Sequence, residues 1–258
     1  MANDVNDFRK RISARLTEVK SLGVNLARVD FEGEGIGANV SPGQFVMVEA
    51  PGRHDCVLLR PFSYFLAQSA NHIALLVRAV GKGTQSLLQS KPGTPVVLLG
   101  PLGNAFPRVK GHCWLVAGGV GAAPFGHLAN SANTRVLFGV RTSADLGFGN
   151  ALRELGGDVA VATDDGSAGF RGTVADLLRR ELEKSKPAAI FTCGPTPMMA
   201  AVAKVARKSD VDCWVSLEER MGCGFGVCRG CAHKDATGNW RCVCEGGPVY
   251  LASEIFGE

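Results

Sequence analysis

The sequence lacks an excess of charge of either sign: 28 basic and 24 acidic side chains are interspersed and leave a formal net charge of +4. That balance excludes the clustered basic face of a nucleic-acid binder. No apolar run is long enough to cross a bilayer. Phe8-Arg9-Lys10-Arg11 is followed by no apolar h-region, so no secretory signal is expected. Histidine is scarce. His54, His72, His112 and His127 have no serine or cysteine partner in a recognisable motif, and Gly-x-Ser-x-Gly is absent. A triad hydrolase is therefore excluded, and these histidines are read as surface or satisfied core residues. Repeats and low-complexity tracts are absent as well. What remains is an ordinary globular composition, 46% hydrophobic and 20% charged, in 258 residues. That length suits two domains and a small appendage. Arg179-Arg180-Glu181-Leu182-Glu183-Lys184 reads as the wet face of a helix.

Cysteine, in contrast, is plentiful and grouped. Cys223, Cys228 and Cys231 stand in a C-x4-C-x2-C run within Gly222-Cys223-Gly224-Phe225-Gly226-Val227-Cys228-Arg229-Gly230-Cys231, and Cys244 follows. This is the plant-type spacing for a [2Fe–2S] cluster held by four thiolates. Glycine suits such a loop because the backbone wraps closely around inorganic sulfide. The competing reading is structural zinc, which favours two short Cys pairs or paired Cys and His; here the C-x2-C is single. Cys231-Ala232-His233 is half of a Rieske pattern without its mate, so His233 is read as a solvated loop residue. Cys242 and Cys244 are two apart and on a strand would share a face. Cys244, which leads into Glu245-Gly246-Gly247-Pro248, is taken as the fourth ligand with Cys242 as a close neighbour. Nine cysteines, an odd number, and the need for reduced thiols point to the cytoplasm without structural disulfides. Cys113 and Cys213, beside tryptophans, read as core.

Short β-rich runs occupy the first part of the chain: Val46-Met47-Val48-Glu49-Ala50, Ile73-Ala74-Leu75-Leu76-Val77 and Val96-Val97-Leu98-Leu99. Turn signals separate them, which predicts a small antiparallel barrel over 1–108 with one helix at 83–89. The texture then alternates. Apolar runs at 114–117, 135–140, 158–162 and 189–192 are interleaved with plausible helices at 122–131, 174–184 and 196–208. This predicts a doubly wound parallel α/β domain over 109–215. Residues 216–258 are rich in glycine and cysteine and too short for an apolar core, so the cluster would staple them.

Several turns could seat nucleotides. Gly118-Gly119-Val120-Gly121-Ala122-Ala123-Pro124 follows a predicted strand and opens a predicted helix, with Pro124 suited to its first turn. Arg60-Pro61-Phe62-Ser63 stands at the end of Val57-Leu58-Leu59, where the arginine could fork a phosphate and Ser63 bond a flavin edge. Phe62 and Tyr64 could border a planar ligand. Gly81-Lys82-Gly83-Thr84 is another phosphate seat at a helix start. Thr163-Asp164-Asp165-Gly166 and Cys193-Gly194-Pro195 each end a predicted parallel strand, where such sheets bind ligands. Taken singly, each of these is weak, and a plain turn or strand end is the competing reading.

The order of these motifs resembles the ferredoxin–NADP reductase superfamily. More specifically, Ser216-Leu217-Glu218-Glu219-Arg220-Met221-Gly222-Cys223-Gly224 and Cys244-Glu245-Gly246-Gly247-Pro248-Val249 resemble the electron-transfer subunits of type B dihydroorotate dehydrogenases. The likeness covers nearly the whole chain and takes in Pro42-Gly43-Gln44-Phe45 and Gly100-Pro101-Leu102-Gly103. It implies an FAD-binding barrel, an NAD-binding α/β domain and a small [2Fe–2S] domain. Arg60, Pro61, Phe62, Ser63, Leu76, Val77 and Arg78 would touch FAD, and Gly83 and Thr84 would seat its pyrophosphate. The 118–124 turn, with Gly119 and Gly121, would lie with Asp164 and Cys193 around the nicotinamide nucleotide. Cys223, Cys228, Cys231 and Cys244 would hold the cluster. The resemblance further implies a partner, an FMN-containing dihydroorotate dehydrogenase catalytic subunit, in a heterotetramer of two of each. Electrons from dihydroorotate would pass from FMN through the cluster and FAD to NAD+, in pyrimidine biosynthesis. No dihydroorotate site or catalytic residue is found in this chain. The alternative is a related reductase serving a ferredoxin, a hydrogenase or an oxygenase. A reading of another class is a zinc-stabilised nucleotide-binding regulator. Arg141 could pair with a 2′-phosphate, although the resemblance favours NAD.

Overall fold

The computed structural model describes residues 10–257. The Phe8-Arg9 half of the basic N-terminal stretch therefore lies outside the described residues, as does the start of the 1–108 segment. From Lys10 the chain forms six antiparallel strands that close into a barrel. They are β1 (Lys10–Gly23), β2 (Leu26–Glu32), β3 (Phe45–Val48), β4 (Arg60–Ser69), β5 (His72–Arg78) and β6 (Pro95–Leu102), in the order β1-β2-β5-β4-β3-β6. Helix α1 (Lys82–Gln89) lies between the last two. Strand alternation divides β5 between two cores. Ile73, Leu75 and Val77 fill the barrel with Val29, Phe31, Val46 and Tyr64, while Ala74 and Leu76 pack outward against the next domain.

Two sequence readings change here. Val57-Leu58-Leu59 is not a strand, since Val57 and Leu58 are exposed in the loop before β4, and Arg60 opens that strand instead of following one. Tyr64 borders no ligand because it is buried inside the barrel.

The second domain is built on a seven-stranded sheet in the order β10-β9-β8-β7-β11-β12-β15, whose last strand, β15 (Val249–Leu251), comes from the C-terminal segment. Its parallel strands are β7 (Cys113–Gly118), β8 (Thr134–Val140), β9 (Val159–Thr163), β10 (Phe170–Arg171), β11 (Ala189–Cys193) and β12 (Cys213–Ser216). Every residue of β7 is buried, as expected of a strand covered on both faces. Four helices connect this domain: α2 (Gly126–Ala129), α3 (Gly147–Glu154), α4 (Val174–Leu182) and α5 (Thr196–Lys208). Helix α4 opens on a reciprocal cap, in which the Asp176 N–H donates to Thr173 Oγ1 at 3.2 Å and Thr173 donates back to the carboxylate. The stretch expected as a helix at 122–131 is instead a 3-10 turn over Gly119–Phe125, with Pro124 inside it, followed by the single turn of α2. Glu181 is not on a wet face. It is buried and pairs with Arg135 Nη1 at 2.7 Å and Lys184 Nζ at 2.6 Å.

The cysteine-rich segment contains β13 (Ala232–Lys234), β14 (Trp240–Cys242), α6 (Val243–Gly246), β15 (Val249–Leu251) and α7 (Ala252–Phe256). It is not an appendage held by cysteines alone. β15 pairs antiparallel with β12 at the sheet edge, and Leu217, Val243, Tyr250 and Ile255 enter the main apolar core. Asn104, just past β6, fastens this segment to the barrel. Its amide donates to Val249 O at 2.7 Å and accepts from Val249 N at 2.8 Å, while its backbone N–H donates to Gly247 O at 2.7 Å.

The barrel and sheet meet over one apolar layer. Leu26, Phe65 and Leu76 pack with Ala122 and Phe125, and Phe106 stacks on Phe125 and Phe191 with centroids 5.6 and 4.7 Å apart. His127 Nε2 accepts from the Ala67 N–H across the same boundary at 2.8 Å. Gly126 packs so closely on Phe65 that a Cβ there would overlap the Phe65 carbonyl oxygen. Backbone cannot yield as a side-chain tip can, so Gly126→Ala is expected to cost about 1–3 kcal/mol by overpacking. The check is the midpoint of thermal unfolding, and an unchanged midpoint would mean that the two domains have slack at this contact.

Candidate functional site

The sheet reverses its strand order between β7 and β11, and such a switch point is where open α/β sheets receive ligands. The chain places Gly118-Gly119 at the end of β7 and Cys193-Gly194 at the end of β11. Gly119 adopts φ +56°, and a Cβ on Gly121 would overlap the Cys193 carbonyl oxygen. The turn therefore seats its main chain against the neighbouring strand end, leaving backbone for a phosphate to approach. Asp164 is exposed just past β9 on the same sheet edge, and its N–H donates to Val140 O at 3.2 Å.

Beside this crevice runs a cleft of about 530 Å³ between barrel and sheet. Arg60, Pro61, Phe62, Ser63, Leu76, Arg78 and Thr84 line it from the barrel side. Val120 and Ala123 line it from the 3-10 turn, and residues 217–221 and Pro248 close it from the C-terminal segment. Of the residues proposed to touch a flavin, Val77 has its side chain in the barrel core and is absent from the cleft lining, while Phe62 lines the cleft and also packs against that core. Gly83 lies behind the cleft, where a Cβ would overlap the Arg60 guanidinium. Arg60 is further held by Nη1 donating to the carbonyls of Leu58 and, at 3.2 Å, Cys56. The Thr84 hydroxyl is engaged locally. It accepts from the N–H groups of Val80 at 2.9 Å and Gly81 at 3.1 Å and donates to Gly81 O at 3.0 Å. Arg78 leans toward the second domain, with Nη2 3.6 Å from Asp145. A largely apolar cleft with Arg60, Arg78 and Arg220 in its lining fits a planar ring with a phosphate tail.

In the sequence, residues 217–221 carry the family likeness but show no place in a cleft. The one local signal is the charged Glu218-Glu219-Arg220 between an apolar strand and a cysteine loop. Glu218 presents surface to the cleft, yet protein surrounds it densely, and that desolvation raises its carboxyl pKa. Its Oε1 lies 4.0 Å from Cys193 Sγ. Burial first, and Glu218 second, push the Cys193 thiol well above its ordinary value, so it stays protonated.

At the far end of this arm the cysteine loop is organised by main-chain N–H groups. Phe225 N and Cys228 N donate to Cys223 Sγ at 3.5 and 3.4 Å, and Gly230 N donates to Cys228 Sγ at 3.4 Å. Gly226 N donates to Cys244 Sγ at 3.1 Å, and Cys244 N to Cys231 Sγ at 3.4 Å. Burial alone would raise the Cys223 thiol, but the N–H groups of Cys228 and Phe225 prevail and lower it to about 6. Cys231 and Cys244 are buried with their sulfurs 3.2 Å apart. Among the described residues no three metal-type side chains converge on one ion. All nine cysteines are free thiols, and Cys113 and Cys213 are buried as expected. A set of four thiols supplied with N–H donors suits thiolate ligation of a cluster, whose charge such donors stabilise. Two sequence readings are corrected. Cys242 ends β14 and Cys244 sits in the one-turn helix α6, so they do not share a strand face. His233 is not a solvated loop residue, because it lies on β13 with Nδ1 2.9 Å from Glu219 Oε1.

Fold and site together define an oxidoreductase of the ferredoxin-reductase-like class with flavin, nicotinamide-nucleotide and iron–sulfur domains. Three family models match in chain order: "Oxidoreductase FAD-binding domain" over residues 13–106, "Oxidoreductase NAD-binding domain" over 115–204, and "Iron-sulfur cluster binding domain of dihydroorotate dehydrogenase B" over 218–256. A solved structure described as an NADH-dependent reduced ferredoxin-NADP oxidoreductase superposes with a TM-score of 0.81 at 27% identity, covering 93% of this chain and 88% of that one. The dihydroorotate dehydrogenase B (NAD(+)) electron transfer subunit of Desulforamulus reducens is 37% identical, with 96% of this chain and 99% of the relative covered. That of Caldanaerobacter subterraneus subsp. tengcongensis is 33% identical over the same shares. The chain belongs to the family of dihydroorotate dehydrogenase B electron transfer subunits.

Cys242 also lies beside Cys231, but it is half-buried, whereas Cys244 is buried, accepts the Gly226 N–H and sits 3.2 Å from Cys231 Sγ. Cys244→Ser is expected to lose bound iron, and Cys242→Ser to retain the full wild-type content by metal analysis. Equal loss in both would remove the distinction.

Proposed function

We propose that this chain carries electrons from a dihydroorotate dehydrogenase catalytic subunit, through a [2Fe–2S] cluster and FAD, to NAD+. The observation that supports this reading is the arm at 217–221. It leaves the end of β12, lines the cleft, and runs directly into the cysteine loop. Bound FAD would exchange a hydride with nicotinamide and single electrons with the cluster, which neither of those groups can do for the other.

The chain's own residues supply placement. Arg60 would fork a flavin phosphate while Gly83 leaves room for its guanidinium. Pro61, Phe62, Ser63, Leu76 and Arg78 would border the flavin, with Val77 offering only main chain and Thr84 ordering the turn at Gly83. Gly119 and Gly121 would admit the nicotinamide nucleotide's phosphate to backbone N–H groups, with Asp164 farther along the sheet edge. Cys193, kept neutral, would adjoin the transferring ring without adding charge. Cys223, Cys228, Cys231 and Cys244 would hold the cluster. The partner subunit would bear FMN, in an assembly of two of each, in the cytoplasm and in pyrimidine biosynthesis, with NAD preferred. We divide the chain into a flavin domain at 1–108, a nucleotide domain at 109–215 and a cluster domain at 216–258. No helix among the described residues is long and apolar enough to cross a membrane.

A second reading, a reductase serving a ferredoxin, is favoured by one observation, the likeness to the NADH-dependent reduced ferredoxin-NADP oxidoreductase along 93% of the chain. Anaerobic assays distinguish the two. With an FMN-containing catalytic subunit, the chain should support dihydroorotate-dependent formation of NADH; alone, it should not. Failure with the cognate subunit, together with rapid ferredoxin reduction, would favour the second reading. Arg60→Ala is expected to lose FAD on dialysis, and Cys228→Ser to lose iron while keeping FAD. Simultaneous loss of both cofactors from Cys228→Ser would contradict separate sites.

A further inference from the structure

Adjacent carboxylates on the 217–221 arm reach different elements. Glu218 approaches Cys193 at the nucleotide crevice, and Glu219 bonds His233 on β13. In this 2.9 Å contact the geometry suits an Nδ1–H of His233 donating to a Glu219 carboxylate oxygen. The two partners bracket the cysteine loop. Glu219 stands four residues before Cys223, and His233 two residues after Cys231. Three of the four cluster thiols thus lie in a chain segment whose ends this single bond ties together. Among the described residues it is the one side-chain hydrogen bond that joins the arm to the β13–β14 hairpin. Both side chains are partly shielded, 34% and 23% exposed, so the bond is not a fully solvated surface pair.

What the bond joins is specific. On one side the arm lines the flavin cleft at Glu219, Arg220 and Met221. On the other, β13 pairs with β14 in a register that sets Ala232 opposite Cys242, and Val243 N donates to Cys231 O at 3.1 Å. That pairing carries Cys231 to Cys244. The arm therefore shares its position with the flavin cleft, and the hairpin shares its position with the buried thiol pair. The C-x4-C-x2-C spacing by itself does not fix the distance between these two bodies, and the Glu219–His233 bond adds a direct tie to the core contacts and N–H bonds that shape the loop.

We propose that Glu219 and His233 form a positioning pair that holds the cysteine loop at a fixed separation from the flavin cleft and so sets the rate of single-electron transfer between them. The proposal rests on the reading that the four thiols hold a cluster beside a bound flavin. Reduction of NAD+ takes two electrons and one proton as hydride, so two single-electron transfers cross this gap per turnover. Run in reverse with NADH as donor, hydride transfer does not cross the gap, and each later one-electron reduction of the cluster does. Displacement at such a gap affects only the second step.

The test uses the full chain with both cofactors, under anaerobic conditions, in wild type, His233→Ala and His233→Asn. The Asn amide stands near the place of Nδ1 and still donates to Glu219. Iron and acid-labile sulfide content and the paramagnetic signal after dithionite report the cluster, and stopped-flow absorbance with NADH separates flavin reduction from cluster reduction. His233→Ala is expected to keep wild-type iron, sulfide and flavin reduction but to reduce its cluster about tenfold more slowly, in keeping with a small misplacement of reacting centres. Its paramagnetic signal should broaden. His233→Asn should restore both the rate and the signal. Cluster reduction at the wild-type rate in His233→Ala would overturn the proposal, as would an Asn variant as slow as the Ala variant. Loss of iron from His233→Ala would overturn it too, by making the pair an assembly element. A wild-type chain without iron would overturn this proposal together with the cluster reading beneath it, whereas the other outcomes leave that reading intact.

Discussion

Asn104 holds the returning C-terminal segment against the exit of the barrel, and the cysteine segment takes its overall place from that hold. One side chain both donates to and accepts from Val249, so it substitutes for a missing strand partner at the inner edge of β15. Leu217 N donates to Pro248 O at 2.9 Å on the same short stretch. The entry and exit of the cysteine segment are thereby fastened within a few residues of each other, with the barrel beneath. The loop then presses on that barrel directly, since a Cβ on Gly224 would come within 2.6 Å of Met47 Cγ. A small segment that could not bury a core alone is ordered by two larger ones.

The same economy governs the two nucleotide-binding domains. Their apolar faces merge into one layer, in which Phe65 and Leu76 of the barrel meet Phe125 of the turn after β7. Because that turn carries Gly119 and Gly121 and also contributes Val120 and Ala123 to the cleft, one loop serves both sites. The cleft and the glycine turn therefore lie side by side along a shared wall. Arg78, between the cleft and Asp145, stands at the same boundary. The arm at 217–221 extends the arrangement toward the thiols, with Glu218 turned to Cys193 and Glu219 to His233 on β13.

Particular residues show how far the sequence can be read. Helix α5 is legible to the residue, because Thr196-Pro197 starts it and a regular pattern carries it to Lys208. Four strands of the parallel sheet, β7, β8, β9 and β11, are legible from short apolar runs between turns, whereas β10 and β12 are not. The turn at Gly119–Phe125 reads in sequence as the opening of a helix, because glycine and proline mark a strand end without specifying the next element. Val57-Leu58-Leu59 has the composition of a strand, yet it lies in the exposed loop and β4 begins at Arg60. β2 alternates as Arg28-Val29-Asp30-Phe31-Glu32, but without the continuous apolar run that marks the other strands it is passed over. β15 is three residues long and is a strand only because β12 lies beside it.

The chemistry of this protein is written locally. Thiols at a fixed spacing, glycine turns after apolar strands, and an arginine beside a serine are properties of neighbouring residues, and the sequence determines them whatever the rest of the chain does. Distance between such groups is not local. That Cys244 is buried against Cys231 while Cys242 stays half-buried beside it, that Val77 faces the barrel while Leu76 faces the cleft, and that His233 bonds Glu219 depend on which strand pairs with which. Only tertiary packing decided those, because a hydrogen bond or a van der Waals contact between residues far apart in the chain exists only once the intervening chain has closed around a core.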